Sequence, residues 1–128
     1  MKGNLKKRKL LLVEDDSFIA SAYQKGLEQE GFEVLTASSG DDALIKIANE
    51  RPDLVLLDLV MAGRDGFSVL SEIKNRQELK KMPVIILSNL GGKEDIEKGK
   101  NLGASDYIIK SDHSLVEVTE KIRNCLSQ

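Results

Sequence analysis

The sequence predicts an α/β protein in which a doubly wound, five-stranded parallel sheet carries helices on both faces. Two observations favour this fold class. Five short apolar runs alternate with amphipathic stretches of helical length, and strands that alternate with helices form parallel sheets through right-handed crossovers. Most of the runs lack the polar alternation of a half-exposed strand, which is typical of strands buried on both faces. With 128 residues, the chain fits a single domain.

The first half of the chain contains three predicted strands. Two of them are continuous apolar runs that stop at acidic residues, as buried strands do where they meet a polar loop. The intervening helices are bounded by residues with capping or helix-breaking properties. The predicted order is a strand at 10–13, a helix capped by Asp16 or Ser17 that ends at Gly31, a strand at 32–37, a helix that ends before Arg51, and a strand that stops at Asp58.

The second half contains two further strands and three helices. The helix at 93–102 has the thinnest apolar face, so we expect it to be the most mobile helix. Ser114 and Glu117 have the spacing of a capping box at the start of the final helix. The predicted order is a helix through 67–73, a strand at 83–87 that ends in Ser88, the helix at 93–102, a strand at 106–110, and the final helix.

Composition narrows the function classes. The net charge is −2 with both signs interspersed, which is not the footprint of a nucleic-acid-binding protein. The basic run at 6–9 is interpreted as solvated chain that flanks the first strand, with a basic tail predicted at 1–8 and the domain at 9–128. A lone Cys125 provides neither a disulfide nor zinc-ligand spacing and fits a reducing compartment. Without a membrane-length apolar segment or a signal peptide, we expect a cytoplasmic location with no membrane insertion.

Polar side chains stand where predicted strands end. These residues are Glu14, Asp15, Asp58, Ser88 and Lys110, and the carboxyl ends of parallel strands meet at one edge of the sheet. Crowded carboxylates repel one another unless a cation offsets their charge, and Mg²⁺ prefers such oxygen ligands. In such a site Asp58 can attack a phosphoryl group as a nucleophile. Lys110 and Ser88 can then hold phosphoryl oxygens.

Four motifs give the chain a family resemblance. They are LLLVED at 10–15, LLDLVM at 56–61 followed by Asp65 and Gly66, ILS at 86–88, and LGASDYIIK at 102–110. From Lys9 to Leu126 the chain resembles the receiver domain of bacterial two-component response regulators. The resemblance implies a flavodoxin-like sheet with strand order 2-1-3-4-5.

The resemblance also implies roles and partners. A sensor histidine kinase or phosphotransfer protein would supply the phosphoryl group, and a downstream protein effector would respond to it, with no direct nucleic-acid contact by this domain. The chain would be a signalling switch that catalyses only its own modification, which shifts an existing equilibrium on the face of the fourth helix, last strand and fifth helix. The implied residues are Asp58 as phosphoacceptor, Glu14, Asp15, Asp58 and the Val60 carbonyl as the Mg²⁺ site, Ser88 and Tyr107 as switch residues, and Lys110 as the phosphate-binding lysine.

Three positions depart from the family pattern. Ala62 replaces a common proline, which we expect to loosen the loop after Asp58. Asn89 is larger than usual, and we expect it to narrow access to Asp58 and slow phosphorylation. Ser111 replaces a proline that usually follows the lysine through a cis bond. Since a cis bond before a non-proline residue costs about 2.5–4 kcal/mol and the segment 111–113 has no obvious anchor, we expect a trans bond.

Three other functions suit a fold of this class. A phosphatase with an Asp nucleophile needs a general acid two residues later, where Val60 stands. A flavodoxin-like cofactor binder needs a phosphate-cradling loop after the first strand, where the acids at 14–16 would repel phosphate. A receiver fold that acts as a phosphorylation-independent protein-binding module remains open.

Overall fold

The computed structural model describes residues 7–127, so the tail predicted at 1–8 lies mostly outside the described residues. Strands and helices alternate along the chain as predicted, and a short 3₁₀ turn at Lys110–Asp112 follows the last strand. The elements are β1 (Lys9–Val13), α1 (Ser17–Gln29), β2 (Glu33–Ala37), α2 (Gly40–Glu50), β3 (Leu54–Leu57), α3 (Gly66–Asn75), β4 (Val84–Ser88), α4 (Lys93–Asn101), β5 (Asp106–Ile109) and α5 (Leu115–Leu126).

The five strands form one parallel sheet in the order β2-β1-β3-β4-β5. This order confirms the predicted flavodoxin-like architecture. The central strand β3 and its neighbours consist almost entirely of buried residues, because helices cover both faces of a parallel sheet.

Two hydrophobic clusters lie on opposite faces of the sheet. Since successive side chains of a strand point to opposite faces, Leu11 and Val13 of β1 pack in the cluster that includes α2 and α3. Leu10 and Leu12 pack in the other cluster, with α1 and α5. The helices are therefore divided between the two faces, as predicted.

Side-chain caps start α1 and α5 at the carboxyl edge of the sheet. Asp16 accepts hydrogen bonds from the backbone N–H groups of Phe18 and Ile19 at the start of α1. Ser114 and Glu117 form the predicted capping box at α5. Such caps satisfy N–H groups that have no partner inside the helix, and they fix where the loops from β1 and β5 end.

Helix α4 has fewer buried residues than the other α-helices and lacks a side-chain cap. Gly99 is its one buried residue, and the residue at its N-cap, Gly92, provides no side-chain cap. The Lys98 ammonium lies 4.5 Å from the centroid of the Phe67 ring, which adds a contact to α3. The thin apolar face is confirmed, and the mobility of α4 stays a prediction. Within residues 7–127, no helix combines the length and apolar character that a membrane span requires.

Candidate functional site

The strand register brings the predicted site residues to one edge of the sheet. Val13 of β1 pairs with Leu57 of β3, so Glu14 and Asp58 follow neighbouring strands at the same level. Ser88 at the end of β4 pairs with Ile109 of β5, which immediately precedes Lys110. Backbone bonds continue past the strands, since the Asp58 N–H donates to the Val13 carbonyl at 3.1 Å. The backbone pairing thus fixes the positions of the residues that directly follow β1, β3 and β5.

Three carboxylates form a cluster at this edge. One oxygen from each of Glu14, Asp15 and Asp58 lies within 4.8 Å of the other two. Glu14 and Asp58 are buried, at 5% and 7% exposure, whereas Asp15 is exposed. The structure therefore brings together three of the predicted site residues, with an opening to solvent on the Asp15 side.

The loop after β3 orients two of these carboxylates through its backbone. The Val60 N–H donates to Asp58 Oδ1 at 3.3 Å, and the Ala62 N–H donates to Asp15 Oδ2 at 3.0 Å. A proline at position 62 would have no N–H to donate. The loop expected to be loosened by Ala62 thus gains a contact to the acid cluster.

Lys110 joins the cluster from β5. Its ammonium donates to Glu14 Oε1 and lies 3.3 Å from Asp58 Oδ2. The lysine side chain is 11% exposed, so solvent screens these interactions weakly. Lys110 contacts Asp58 as expected, and its hydrogen bond to Glu14 is an additional finding.

Burial and neighbouring charges shift the pKa values of Glu14 and Lys110. Burial raises the pKa of Glu14, and the hydrogen bonds from Lys110 and the Asp16 backbone only partly oppose that shift. Burial alone would lower the pKa of Lys110, but the bond to Glu14 and the nearby Asp58 charge raise it above its ordinary value. Lys110 is therefore a cation at neutral pH and offsets part of the negative charge of the cluster.

Ser88 and Tyr107 both bind Leu90. Ser88 is fully buried, and its Oγ accepts a hydrogen bond from the Leu90 N–H at 3.2 Å. The Tyr107 hydroxyl donates to the Leu90 carbonyl, and burial raises the pKa of Tyr107. The two predicted switch residues thus bind the backbone of the same residue, Leu90. Because Leu90 takes part through its backbone, its side-chain type gave no indication of this role.

The bond between Lys110 and Ser111 is trans, as is every peptide bond between residues 7 and 127, which confirms the predicted geometry. The expectation that the segment after Lys110 has no anchor is wrong. The Ser111 N–H donates to Asn89 Oδ1 at 3.1 Å, which joins the loop after β4 to the turn after β5. The expected narrowing of access by Asn89 stays a prediction.

Arg64 was not singled out in the sequence, yet it connects the loop after β3 to two helices. Its Nε donates to Ser68 Oγ at 2.9 Å, and its guanidinium pairs with Asp41 of α2 and Glu72 of α3. Sequence spacing does not reveal this set, because Asp41 lies 23 positions away. Arg64 thus fixes the loop that carries Val60 and Ala62.

Gly66 allows the first turn of α3 to approach the acid cluster. A Cβ atom at this position would lie 2.3 Å from the Asp58 carbonyl oxygen and 2.8 Å from Leu59 Cα. Both neighbours are backbone atoms that cannot move independently. Only glycine fits this contact without displacing the backbone that carries Asp58.

The donor set of the cluster fits a magnesium ion. Hard carboxylate and carbonyl oxygens with an open side match the coordination that Mg²⁺ takes in proteins, where it keeps several waters and shares phosphate oxygens. Glu14, Asp15 and Asp58 provide the carboxylates, and the loop that carries Val60 runs beside them. The arrangement can therefore bind a cation next to a nucleophilic carboxylate.

Comparisons with known proteins agree with this geometry. The family model described as "Response regulator receiver domain" matches residues 10–123. The transcriptional regulatory protein AfsQ1 of Streptomyces coelicolor is 40% identical over 101 residues, which are 79% of this chain and 44% of that protein. The chain therefore spans less than half the length of this relative.

Solved structures have the same fold. The BeF3-activated N-terminal receiver domain of Klebsiella pneumoniae RstA is 31% identical, with a TM-score of 0.85 over 94% of this chain and 100% of that one. The chemotaxis protein CheY4 of Vibrio cholerae is 25% identical, with a TM-score of 0.86 over 93% of this chain and 98% of that one.

Proposed function

Because this chain belongs to the response regulator receiver domain family, we propose that it is a phosphorylation switch whose phosphoacceptor is Asp58. The observation that carries the proposal is the position of Lys110, whose ammonium contacts both buried carboxylates of the acid cluster, Glu14 and Asp58. A cation next to a buried carboxylate has the position needed to bind a phosphoryl oxygen once Asp58 is modified. Residues 9–128 form the receiver in this proposal, and 1–8 form a basic tail.

Asp58 acts as the nucleophile. One of its carboxylate oxygens forms a bond to phosphorus as the bond from phosphorus to the donor's histidine nitrogen breaks. The electron pair of that bond stays on the nitrogen, which then takes a proton from solvent. The Val60 N–H donates to Asp58 Oδ1, and the Lys110 ammonium lies 3.3 Å from Oδ2, so both contacts hold the carboxylate in place for the attack.

Magnesium belongs to this reaction as a cofactor. Asp15, Asp58 and the Val60 carbonyl would hold the ion directly, and Glu14 would hold it through a water. When bound, Mg²⁺ neutralises the clustered carboxylates and the phosphoryl oxygens. The Lys110 ammonium, which now binds Glu14, can then turn toward a phosphoryl oxygen.

The switch runs through Ser88 and Tyr107. The Ser88 hydroxyl accepts from the Leu90 N–H and has its own proton left to donate to a phosphoryl oxygen, and its rotation toward that oxygen changes the bond to Leu90. Leu90 also binds the Tyr107 hydroxyl, so a shift of this backbone unit alters the contact to β5. The resulting change affects the face of α4, β5 and α5, where α4 is the α-helix with the fewest buried residues, Gly99 alone.

The proposed partners are a sensor histidine kinase or phosphotransfer protein and a downstream protein effector. Phe18 of α1 is 87% exposed and Val60 is 59% exposed, and they lie three positions after Asp15 and two positions after Asp58. Exposed apolar side chains beside a reactive group are typical of a protein docking site.

We place the switch in the cytoplasm, with no membrane insertion and no direct contact with nucleic acid, in keeping with its net charge of −2.

The test is intact-mass spectrometry after treatment with acetyl phosphate. With Mg²⁺ the protein should gain one phosphoryl group, and with EDTA it should gain none. Asp58→Asn should abolish the gain, whereas the matched control Asp112→Asn, an exposed acid in the turn after β5, should keep it. Absence of modification in the wild-type protein, by acetyl phosphate and by phosphorylated kinases, would favour the phosphorylation-independent binding module instead.

A further inference from the structure

Asn89 and Ser111 join the loop that follows Ser88 to the turn that contains Lys110. We propose that Asn89 is a positioning residue for Lys110 and acts through the Ser111 N–H. The inference rests on the proposed function, because its consequence is the rate at which Asp58 is phosphorylated.

The geometry of the contact supports this role. Asn89 Oδ1 accepts from the Ser111 N–H at 3.1 Å across 22 positions of sequence. The nitrogen that donates is bonded to the carbonyl carbon of Lys110, so the contact fixes the peptide plane directly after the lysine. That plane sets the direction in which the Lys110 side chain leaves β5 toward Glu14 and Asp58.

The contact depends on two features of this chain. Ser111 has an N–H, which a proline would lack, and the trans bond after Lys110 leaves that N–H available to Asn89. Asn89 itself directly follows Ser88, whose hydroxyl binds the same loop at Leu90. A movement of the Ser88 loop on phosphorylation therefore reaches Lys110 through Asn89 as well.

Positioning and steric obstruction predict opposite effects of the same substitution. If Asn89 mainly narrows access to Asp58, Asn89→Ala should speed the reaction. If Asn89 positions Lys110, Asn89→Ala should slow it, since a catalytic cation that is held less rigidly spends less time in the productive geometry. Loss of one hydrogen bond corresponds to a slowing of about threefold to tenfold.

The experiment is a double-mutant cycle in acetyl phosphate with Mg²⁺. We expect Asn89→Ala and Ser111→Pro each to slow phosphorylation, and Asn89→Ala to have no further effect in the Ser111→Pro background, because the N–H it acts on is gone. The matched control Asn49→Ala removes an exposed asparagine of α2 and should leave the rate unchanged.

Amide hydrogen exchange measured by NMR separates positioning from a general loss of structure. The Ser111 amide should be protected in the wild type and in Ser111→Ala, which keeps the N–H. Asn89→Ala should lose this protection, and Asn89→Asp, which retains an acceptor oxygen, should keep it.

Three results would overturn the inference. They are an equal or faster rate in Asn89→Ala, fully additive effects in the double mutant, and unchanged Ser111 protection in Asn89→Ala. A wild-type protein that takes up no phosphoryl group would overturn the proposed function, and this inference with it. A wild-type protein that is modified at the same rate as Asn89→Ala would overturn this inference alone.

Discussion

Lys110 donates a hydrogen bond to Glu14 from a position 96 residues away in the sequence. The lysine side chain is 11% exposed and that of Glu14 is 4% exposed, so water screens the pair weakly. Asp58 Oδ2 lies 3.3 Å from the same ammonium. Lys110 thus places a cation beside two buried carboxylates.

Lys110→Ala should destabilise the metal-free protein at neutral pH. The substitution leaves Glu14 and Asp58 buried without their cation, and removing one partner of a buried charged pair costs about 3–5 kcal/mol at most. Urea unfolding in EDTA measures the effect. The control Lys121→Ala breaks a half-exposed pair with Asp106 at 4.0 Å and should cost at most about 1 kcal/mol. Equal losses in the two variants would contradict the central role of Lys110.

Glu14 should make stability depend on pH. Its pKa is raised from 4.5, so the folded protein binds this proton more tightly than the unfolded chain. The contribution of this carboxyl group to the free energy of unfolding is therefore complete below pH 4.5. It is lost as the pH rises through the pKa that Glu14 has in the folded protein. In EDTA, the free energy of unfolding of the wild type relative to Glu14→Gln should fall as the pH rises from about 4 to about 7. A difference that is constant or rises with pH would contradict this assignment.

Tyr107→Phe should weaken the contact between β5 and the Leu90 carbonyl. Loss of this hydrogen bond should reduce the free energy of unfolding by about 0.5–1.5 kcal/mol, measured in urea. The rate of phosphorylation by acetyl phosphate should stay near the wild-type value, because the Tyr107 hydroxyl bonds to the Leu90 carbonyl and not to the acid cluster. The phosphorylation-induced chemical-shift changes in α4 should shrink, whereas those in the control Tyr23→Phe should not. Undiminished shifts in Tyr107→Phe would exclude the link through Leu90.

Gly66→Ala should disturb the site rather than the fold as a whole. The added Cβ would lie 2.3 Å from the Asp58 carbonyl oxygen, so the backbone that carries the nucleophile has to shift. We expect phosphorylation to slow by at least about tenfold, since small displacements of reacting groups cost about this much or more. In the control Gly92→Ala, the nearest atom is the carboxylate of Asp95 at 3.3 Å, the end of a side chain that can turn away. Similar rates in the two variants would show that the close approach does not matter.

Much of the fold could be predicted because its determinants are local. The apolar runs at 10–13 and 54–57 have the length and composition of buried strands, and parallel pairing then places Glu14 and Asp58 side by side. The position of Lys110 near Asp58 could be predicted in the same way, because the carboxyl ends of parallel strands meet at one edge of the sheet. The strand order came from the family resemblance, since apolar runs alone do not specify which strands are neighbours.

The remaining contacts depend on loop conformations that residue types do not encode. Leu90 connects Ser88 to Tyr107 through its backbone N–H and carbonyl, which every residue except proline has in common. The bond from Ser111 to Asn89 requires two loops to meet, and neither residue indicates the other in the sequence.

Chemical trapping of the phosphorylated residue tests the central claim most directly. The protein is treated with acetyl phosphate and Mg²⁺, reduced with sodium borohydride, which converts an acyl phosphate to an alcohol, and digested with trypsin. The peptide at 47–64 contains both Asp53 and Asp58, so fragment masses can separate the two. We predict reduction at Asp58 alone, and only when Mg²⁺ was present. Reduction at Asp53, at Asp15 or at no aspartate would contradict the assignment of Asp58 as the phosphoacceptor.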